Sequence, residues 1–241
     1  MARSQPASRP ATPALQLDQA LQLLRQAGHA LPDGTPGSAA WLQSLIDSLV
    51  DMSSRDALTG LANRRSFELA LAREIDRVAR AGEPALLLAL DIDHFKQVND
   101  THGHASGDLV LKAVAKVLLE CVRPMDMVAR VGGEEFAIVM PNCAPAFGEA
   151  VAERVRRRVE AMPVAIGLAQ QIHVSVSIGG AFAPQWVRSS PALWIERADV
   201  QLYRAKAQGR NCVCLEPSAV SVVSAEEKAL LFGISQYQDI E

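Results

Sequence analysis

The stretch RVGGEEF at positions 130–136 constrains the fold more than any other part of the chain. Short apolar runs that favour β-structure flank it, at positions 127–131 before the glycines and 136–140 after them. Because glycine reaches positive φ at little cost, the adjacent Gly132 and Gly133 predict a tight turn that joins two strands as a hairpin.

Two consecutive carboxylates, Glu134 and Glu135, follow this turn. Successive strand residues point to opposite faces, so the two side chains must have different surroundings. A carboxylate beside a core strand is costly unless it is paired with a cation or binds a metal. The hairpin alone therefore leaves two interpretations open: a tip with two solvated glutamates, or a metal or cation site.

Composition limits the class of protein. With 241 residues, 49% of them hydrophobic, the chain suits one medium domain with extensions. The formal net charge of −3 argues against a nucleic-acid-binding surface. No signal peptide is apparent, and the longest apolar run, 85–90, is far too short to span a bilayer. The four cysteines lack zinc-ligand spacing and predict free thiols in a reducing cytosol, so we expect a cytoplasmic protein without a membrane span.

Changes in composition divide the chain into four segments. We expect disorder in 1–13, a helical stalk or regulatory segment at 14–52, the main domain at 53–216, and a tail at 217–241 that contains one short helix. The second helix of the stalk carries a heptad-like seam of barely two repeats, at Leu42, Leu45, Leu49 and Met52. Either this helix lies on its own domain, or it forms a dimerising stalk or a docking surface for another protein.

The main domain begins with an amphipathic helix that ends at Gly82 and is followed by a buried strand at 85–90. Acidic residues at the exit of a buried strand, here Asp91 and Asp93, present oxygen ligands that suit Mg²⁺. Helices and strands continue to a closing strand at 211–215.

Two further groups of polar residues have a structural and a functional interpretation each. Asn99 and Asp108 lie in a glycine-punctuated stretch, where they serve either as turn and cap residues or as an amide and a carboxylate that read a guanine edge. Lys206 and Arg210 lie four residues apart at the end of a predicted helix. They either complement the helix dipole or, if the last turn holds, project to one side and bind phosphates.

Together these motifs resemble the GGDEF family of diguanylate cyclases, in the variant spelled GGEEF. The resemblance runs from DALTGLANR at 56–64, through the acidic strand exit, the NDTHGHASGD stretch at 99–108 and the hairpin, to YRAKAQGRN at 203–211. It implies an α/β (α+β) fold like the palm of nucleotidyl cyclases, with a five-stranded, mostly antiparallel sheet surrounded by helices. Residues 53–216 would be the catalytic domain.

The resemblance also implies the reaction. Two GTP molecules give cyclic di-GMP and two pyrophosphates, with Mg²⁺ (or Mn²⁺) as cofactor and two facing subunits of a homodimer that hold one GTP each. By resemblance, Asp91, the backbone carbonyl of Ile92 and Glu134 hold the metal. Glu134 is also the proposed proton acceptor, and Glu135 is the alternative metal ligand.

The remaining site residues follow from the same motifs. The residues implied in substrate binding are Asn99 and Asp108 for guanine, His104 in the same motif, Lys206 and Arg210 for phosphates, Lys96 as a weaker candidate, and Gly132 and Gly133, which let the nucleotide approach the backbone. Arg123 and Asp126 have the spacing of the family's inhibitory site for the product; the alternative is an ion pair at a helix end.

Two alternatives remain open at this level. The chain is an active cyclase, or a catalytically silent relative that binds GTP or cyclic di-GMP as a receptor or scaffold. No sensor domain is recognisable in the sequence, so we expect control through the N-terminal helices, where a regulatory protein would bind, through the tail, or through a separate protein.

Overall fold

A computed structural model describes residues 15–167, 170–185 and 189–217. The seven helices within these residues are α1 (Asp18–Gln26), α2 (Ala39–Ser54), α3 (Arg64–Ala81), α4 (Phe95–His102), α5 (His104–Cys121), α6 (Pro145–Ala161) and α7 (Pro191–Ala207). The strands there are β1 (Leu86–Ile92), β2 (Met127–Arg130), β3 (Glu135–Met140), β4 (Val164–Ala165), β5 (Gln171–Ile172), β6 (Val176–Phe182) and β7 (Val213–Leu215). The disorder expected in 1–13 and the helix expected in the tail lie outside the described residues.

Five strands form one sheet in the order β2-β3-β1-β6-β7, and β4 and β5 form a separate two-stranded ribbon. Within the larger sheet only β6 and β7 are parallel; the other neighbours are antiparallel. The predicted five-stranded, mostly antiparallel sheet surrounded by helices is therefore confirmed. The register pairs Asp91 of β1 with Glu135 of β3 on one side and Ser177 of β6 on the other.

Helices cover both faces of this sheet. Alternate residues of β1 belong to two apolar clusters: Leu86, Leu88 and Leu90 pack with α5 and α6, whereas Leu87 packs with α3 and α7. Burial on both faces explains why this strand is a continuous apolar run. The end of β1, where Asp91 lies, meets the hairpin, α7 and α4, and this arrangement positions the site.

The N-terminal segment forms a helical pair with its own small core. Leu24 of α1 and Trp41 and Leu45 of α2 are buried together, and the rest of the predicted seam packs around them. The seam is thus covered by α1. The end of α2 is fastened to the main domain because Asn63 Nδ2 donates to the carbonyl of Ser53 at 2.7 Å and Ser66 Oγ to that of Ser54 at 2.8 Å.

One local expectation was wrong. Residues 95–102 form a helix, α4, where the sequence indicates a glycine-punctuated polar stretch over 99–108 without a helix of its own. On α6, Arg157 pairs with Glu153, and Arg156 bridges Glu153, Glu160 and Asn211. The expectation of free thiols is confirmed for all four cysteines. No helix in the described ranges combines the length and apolarity that crossing a membrane requires.

Candidate active site

Asp91 is the centre of the site. It lies near the end of β1, its residue is only 6% exposed, and Lys206 of α7 places Nζ 2.8 Å from Asp91 Oδ2. This contact follows from the layering, because α7 packs over β1 and β6 and the register turns Asp91 toward that helix. The structure thus brings together a predicted metal ligand and a predicted phosphate-binding cation.

Glu134 lies in the hairpin loop beside this pair. Its backbone carbonyl accepts a hydrogen bond from Ile92 N at 3.3 Å, which ties the loop to the end of β1. Partial burial raises the pKa of the Glu134 carboxyl, the negative charge of Asp91 raises it further, and Lys206 opposes the shift. The Glu134 carboxylate in the loop and the Asp91 carboxylate on β1 are therefore close enough to repel each other.

These oxygen donors fit a hard divalent cation, which would relieve the repulsion between Asp91 and Glu134. Among the residues that the structure describes, no group of three acidic, histidine or cysteine side chains converges on one point. A cation here would need further ligands, such as the Ile92 carbonyl, water and substrate phosphates, and that is the usual coordination of Mg²⁺.

The hairpin loop differs from the predicted tight turn. Residues 131–134 separate the two strands, and neither Gly132 nor Gly133 has a left-handed φ. The missing side chain at Gly132 has another effect, because a Cβ there would lie 2.1 Å from Glu135 Oε2. The Glu135 carboxylate therefore covers the glycine, and a side chain at 132 would displace it.

Glu135 has different surroundings from Glu134. It is exposed and lines a groove of about 840 Å³ between α3 and α7, together with Arg64 and Asp199. Burial raises the pKa of Asp199, and the charge of Glu135 raises it further. Glu134 thus belongs to the Asp91 site, whereas Glu135 borders both that site and the groove.

An ion pair that the sequence did not reveal supports the loop. Arg130 NH1 lies 3.2 Å from Asp56 Oδ1, and Arg130 NH2 donates to the carbonyl of Gly133 at 2.8 Å. Asp56 also accepts from the backbone and side chain of Thr59, which fixes the turn that follows α2. The DALT motif therefore connects the end of α2 to the loop. Arg130 and Asp56 lie in motifs already noted, but 74 positions separate them, and no local pattern in the sequence indicates their contact.

The proposed guanine readers lie on two helices that contact each other. Asn99 lies in α4 and Asp108 in the first turns of α5, and the two helices cross where Gly107 faces Asn99. A Cβ on Gly107 would lie 2.0 Å from Asn99 Oδ1. The absence of a side chain thus leaves room for the Asn99 amide against the residue that precedes Asp108. Asp108 and His104 are both exposed.

Lys206 and Arg210 do not extend from one helical turn as predicted. Helix α7 ends at Ala207, and Arg210 lies beyond it with a φ of 66°. Arg210 and Lys96 are both exposed. The structure places Lys206 on Asp91, and it places Arg210 in a separate loop whose conformation other residues must maintain.

Arg123 and Asp126 form the ion pair that was the structural alternative. The Asp126 carboxylate accepts from Arg123 N, Nε and NH2 at 2.8, 3.3 and 3.0 Å. Arg123 also donates to the carbonyl of Pro141 and lies 4.6 Å from the centre of the Phe147 ring. This corner precedes β2, at the end of the strand opposite the Glu134 loop.

Comparison with known proteins identifies this arrangement of motifs. The family profile described as "Diguanylate cyclase, GGDEF domain" matches residues 53–212. The chain belongs to the GGDEF family. The response regulator PleD of Caulobacter vibrioides is 38% identical over 174 residues, which cover 72% of this chain and 38% of PleD. This GGDEF chain therefore spans less than half the length of the curated relatives it matches first.

Solved structures of other GGDEF proteins have the same fold. Diguanylate cyclase SiaD of Pseudomonas aeruginosa, in complex with its activator SiaC, is 36% identical with a TM-score of 0.67, over 73% of this chain and 66% of SiaD. The coiled coil and GGDEF domain of DgcB from Caulobacter crescentus, in complex with c-di-GMP, is 30% identical with a TM-score of 0.69. That similarity covers 83% of this chain and 100% of the DgcB chain.

Proposed function

We propose that the protein is a diguanylate cyclase, which condenses two GTP into 3′,5′-cyclic di-GMP and two pyrophosphates. The observation that carries the proposal is the convergence of Asp91, Glu134 and Lys206 at one edge of the sheet, where Lys206 Nζ lies 2.8 Å from Asp91 Oδ2. A site with excess negative charge next to a cation suits a metal–triphosphate complex. The family match supports the choice of reaction.

The chemistry assigns a role to each group. In each of two steps, the 3′-oxygen of one GTP attacks the α-phosphorus of the other, the new P–O bond forms, and the bond to pyrophosphate breaks. Mg²⁺, held by Asp91, the Ile92 carbonyl and Glu134, would supply the electrostatic stabilisation of the anionic transition state, and Mn²⁺ has the same ligand preference. Lys206 and Arg210 contribute positive charge at the phosphates, with Lys96 as a third candidate.

The proton of the attacking hydroxyl needs an acceptor. Glu134 is the candidate, because it lies beside Asp91 at the metal and phosphate site; a cation bound to its carboxylate would lower its pKa and weaken it as a base. Glu135, on the groove side, is the alternative ligand. Since each subunit holds one GTP, the reaction requires two copies of the chain that face each other, so the active species is a homodimer.

We assign guanine recognition to Asn99 and Asp108; the Asn99 amide lies against Gly107, the residue before Asp108. A carboxylate that accepts from guanine N1–H and N2–H₂ selects guanine over adenine, and His104 lies on the same helix start. Gly132 and Gly133 leave the loop backbone open to the nucleotide. Because GTP is a cytosolic nucleotide and the thiols are free, we place the protein in the cytoplasm.

The deciding experiment is turnover of GTP by the purified chain with Mg²⁺ or Mn²⁺, with cyclic di-GMP and pyrophosphate measured separately. We expect both products from the wild type and neither from Glu134→Ala. Tight GTP or cyclic di-GMP binding without turnover would instead establish the catalytically silent receptor. ATP in place of GTP is the specificity control.

We also propose that cyclic di-GMP inhibits the enzyme at Arg123 and Asp126. A bound nucleotide would replace the contacts that these residues make with each other, since arginine stacks on bases and forks onto phosphates. Arg123→Ala with Asp126→Ala should relieve product inhibition and retain turnover at low product concentration. Inhibition that is unchanged in the double variant would rule out this site.

Finally, we propose that a regulatory protein binds the N-terminal helical pair. Leu23, Ile46 and Val50 remain exposed on α1 and α2 although the seam is covered. SiaD was solved in complex with an activator protein, which supports a protein regulator for this chain as well. Ile46→Glu with Val50→Glu should change activation or dimerisation without loss of the fold, whereas Ser44→Glu on the same helix should change neither. Deletion of residues 1–50 should change activity or oligomeric state as well.

A further inference from the structure

Asp93 is a buried carboxylate to which the proposed mechanism gives no role. It follows β1, only two residues after Asp91, and is 5% exposed. In an Asp-x-Asp pattern at a strand exit, the second carboxylate is a natural candidate for another metal ligand. The hydrogen bonds around Asp93 point to a different role.

Three donors occupy the Asp93 carboxylate. Ser177 Oγ donates to Oδ1 at 2.6 Å, and Ser175 Oγ donates to Oδ2 at 2.6 Å. The backbone N–H of Asn211 donates to Oδ2 at 3.0 Å. A buried carboxylate with three donors at these distances has little capacity left for a cation. The third donor belongs to the loop that carries Arg210.

That loop has an unfavourable backbone conformation. Arg210 and Asn211 have φ values of 66° and 46°. This left-handed region costs a residue such as arginine roughly 1–2 kcal/mol, whereas asparagine tolerates it. Such a conformation persists only where surrounding contacts hold it. Arg210 N donates to the Ala205 carbonyl at 3.1 Å, and the next amide, that of Asn211, donates to Asp93.

The Asn211 side chain adds a second attachment. Its Nδ2 donates to Glu160 Oε1 at 2.6 Å, and its Oδ1 accepts from Arg156 NH1 at 2.9 Å. Both partners lie on α6, which packs against the opposite face of the sheet from α7. Asn211 is therefore held by its backbone to the end of β1 and by its side chain to α6, and Arg210 is fixed between this anchor and the end of α7.

We propose that Asp93 is a positioning residue, which holds the Asn211 amide and so fixes the loop that presents Arg210 to the phosphates of the bound nucleotide. The two carboxylates at the end of β1 then have different roles: Asp91 belongs to the cation site, and Asp93 holds the phosphate-binding loop in place. The role assigned to Arg210 rests on the proposed function, whereas the hold of Asp93 on the loop does not.

The first experiment tests, without any ligand, whether Asp93 holds the loop at 209–212 in place. In Asp93→Asn, hydrogen exchange of the amides at 209–212 should accelerate at least about tenfold, and trypsin should cleave after Arg210 faster, because the charged acceptor of the Asn211 amide is lost. The milder Ser175→Ala should give a smaller change in the same segment. Glu74→Gln removes another buried carboxylate, on α3, and serves as the matched control that leaves the loop unchanged. Unchanged exchange at 209–212 in Asp93→Asn would overturn the proposal.

The action through Arg210 is tested by a double-mutant cycle. The ligand is 3′-deoxy-GTP with Mg²⁺, which lacks the attacking hydroxyl and so reports binding alone. We expect Arg210→Ala to weaken binding about tenfold or more, and Asp93→Asn roughly threefold to tenfold. The double variant should bind within about twofold of Arg210→Ala, because Asp93 acts through that side chain.

Two results contradict the inference in different ways. Independent effects, in which the two losses multiply, would show that Asp93 does not act through Arg210. Failure of the wild type to bind 3′-deoxy-GTP would reject the nucleotide site itself and the role of Arg210 with it, while the exchange experiment would still decide whether Asp93 holds the loop.

Discussion

Two carboxylate–cation pairs in this molecule have similar contact distances and opposite electrostatic situations. Lys206 Nζ lies 2.8 Å from Asp91, and Arg123 NH2 lies 3.0 Å from Asp126. Asp126 receives three donors from Arg123, and its side chain is fully buried. Asp91 shares its lysine with Glu134, and the two carboxylates repel each other.

The difference separates a site that needs a ligand from one that is complete without it. At the Asp91 edge, negative charge exceeds the positive charge available from Lys206, so a cation gains electrostatic energy there. At the Arg123 corner the charges already satisfy each other, and a ligand has to compete with existing hydrogen bonds. The first arrangement favours binding and chemistry at the expense of stability, and the second favours stability.

The largest effect is expected at Glu134. Glu134→Gln should lower turnover at least about a hundredfold, because it removes a metal ligand and the proposed proton acceptor. In metal-free buffer the same change should leave the melting temperature equal or higher, because the neutral amide no longer repels Asp91. Steady-state kinetics and thermal unfolding measure the two effects.

Glu149→Gln, an exposed carboxylate of α6, is the control for that experiment and should change neither quantity. A marked loss of stability in Glu134→Gln would contradict the comparison, since it would mean that Glu134 stabilises the fold as Asp126 does.

The Arg123 corner should behave in the opposite way. Asp126→Asn should lower the free energy of unfolding by about 1–3 kcal/mol, because donors of Arg123 lose a charged acceptor in a buried place. Turnover at low product concentration should change little. Denaturant unfolding gives the energy, and initial rates give the activity; a stability equal to that of the wild type would remove the distinction between the two pairs.

The contact between Arg130 and Asp56 tests how the loop geometry supports the charged edge. Arg130→Ala should reduce turnover roughly tenfold, because Gly133 loses the donor that fixes its carbonyl and Glu134 is no longer held beside Asp91. Asp56→Asn should give a smaller reduction in the same direction. Wild-type turnover in both variants would contradict this role of the ion pair. The activity would then depend on Glu134 and Asp91 without support from the Arg130–Asp56 contact.

The sequence predicted the elements of this comparison better than their relations. The apolar run before Asp91 and the short apolar runs on either side of the hairpin glycines were sufficient to predict β1, β2 and β3, because those signals are local. The seam of α2 was recognised, but its cover by α1 was not, since nothing local specifies which surface a short seam meets. Helix α4 was missed because Asn99 and its polar neighbours resemble a loop until Phe95 packs into the core.

The site shows the same limit. Glu134 and Lys206 do lie together beside Asp91, but the reason predicted for Gly132 was wrong: the Glu135 carboxylate lies against this position, and its φ is not left-handed. The roles of Asp93 and Arg130 depend on partners that are 118 and 74 positions away in the chain. Contacts of that kind appear only when the sheet order brings the partners together.

The smallest effect is expected at Glu153 on α6. Like Asp126, Glu153 is a carboxylate whose charge is balanced by arginine, but it lies nearer the surface. Hydrogen bonds from Arg156, and then from Arg157, lower the pKa of Glu153 to about 2, from an ordinary value of 4.5. A depressed pKa adds stability that is present above the ordinary value and is lost as the pH falls toward the folded value.

Glu153→Gln should therefore reduce the free energy of unfolding at neutral pH, by no more than about 1 kcal/mol for a partly exposed pair. The difference from the wild type should shrink between pH 4.5 and 2, and Glu149→Gln on the same helix controls for loss of a negative charge. If the difference in unfolding free energy between Glu153→Gln and the wild type stays constant with pH, the pairing with Glu153 adds no stability. Arg156 would then be held by Glu160 and Asn211 instead.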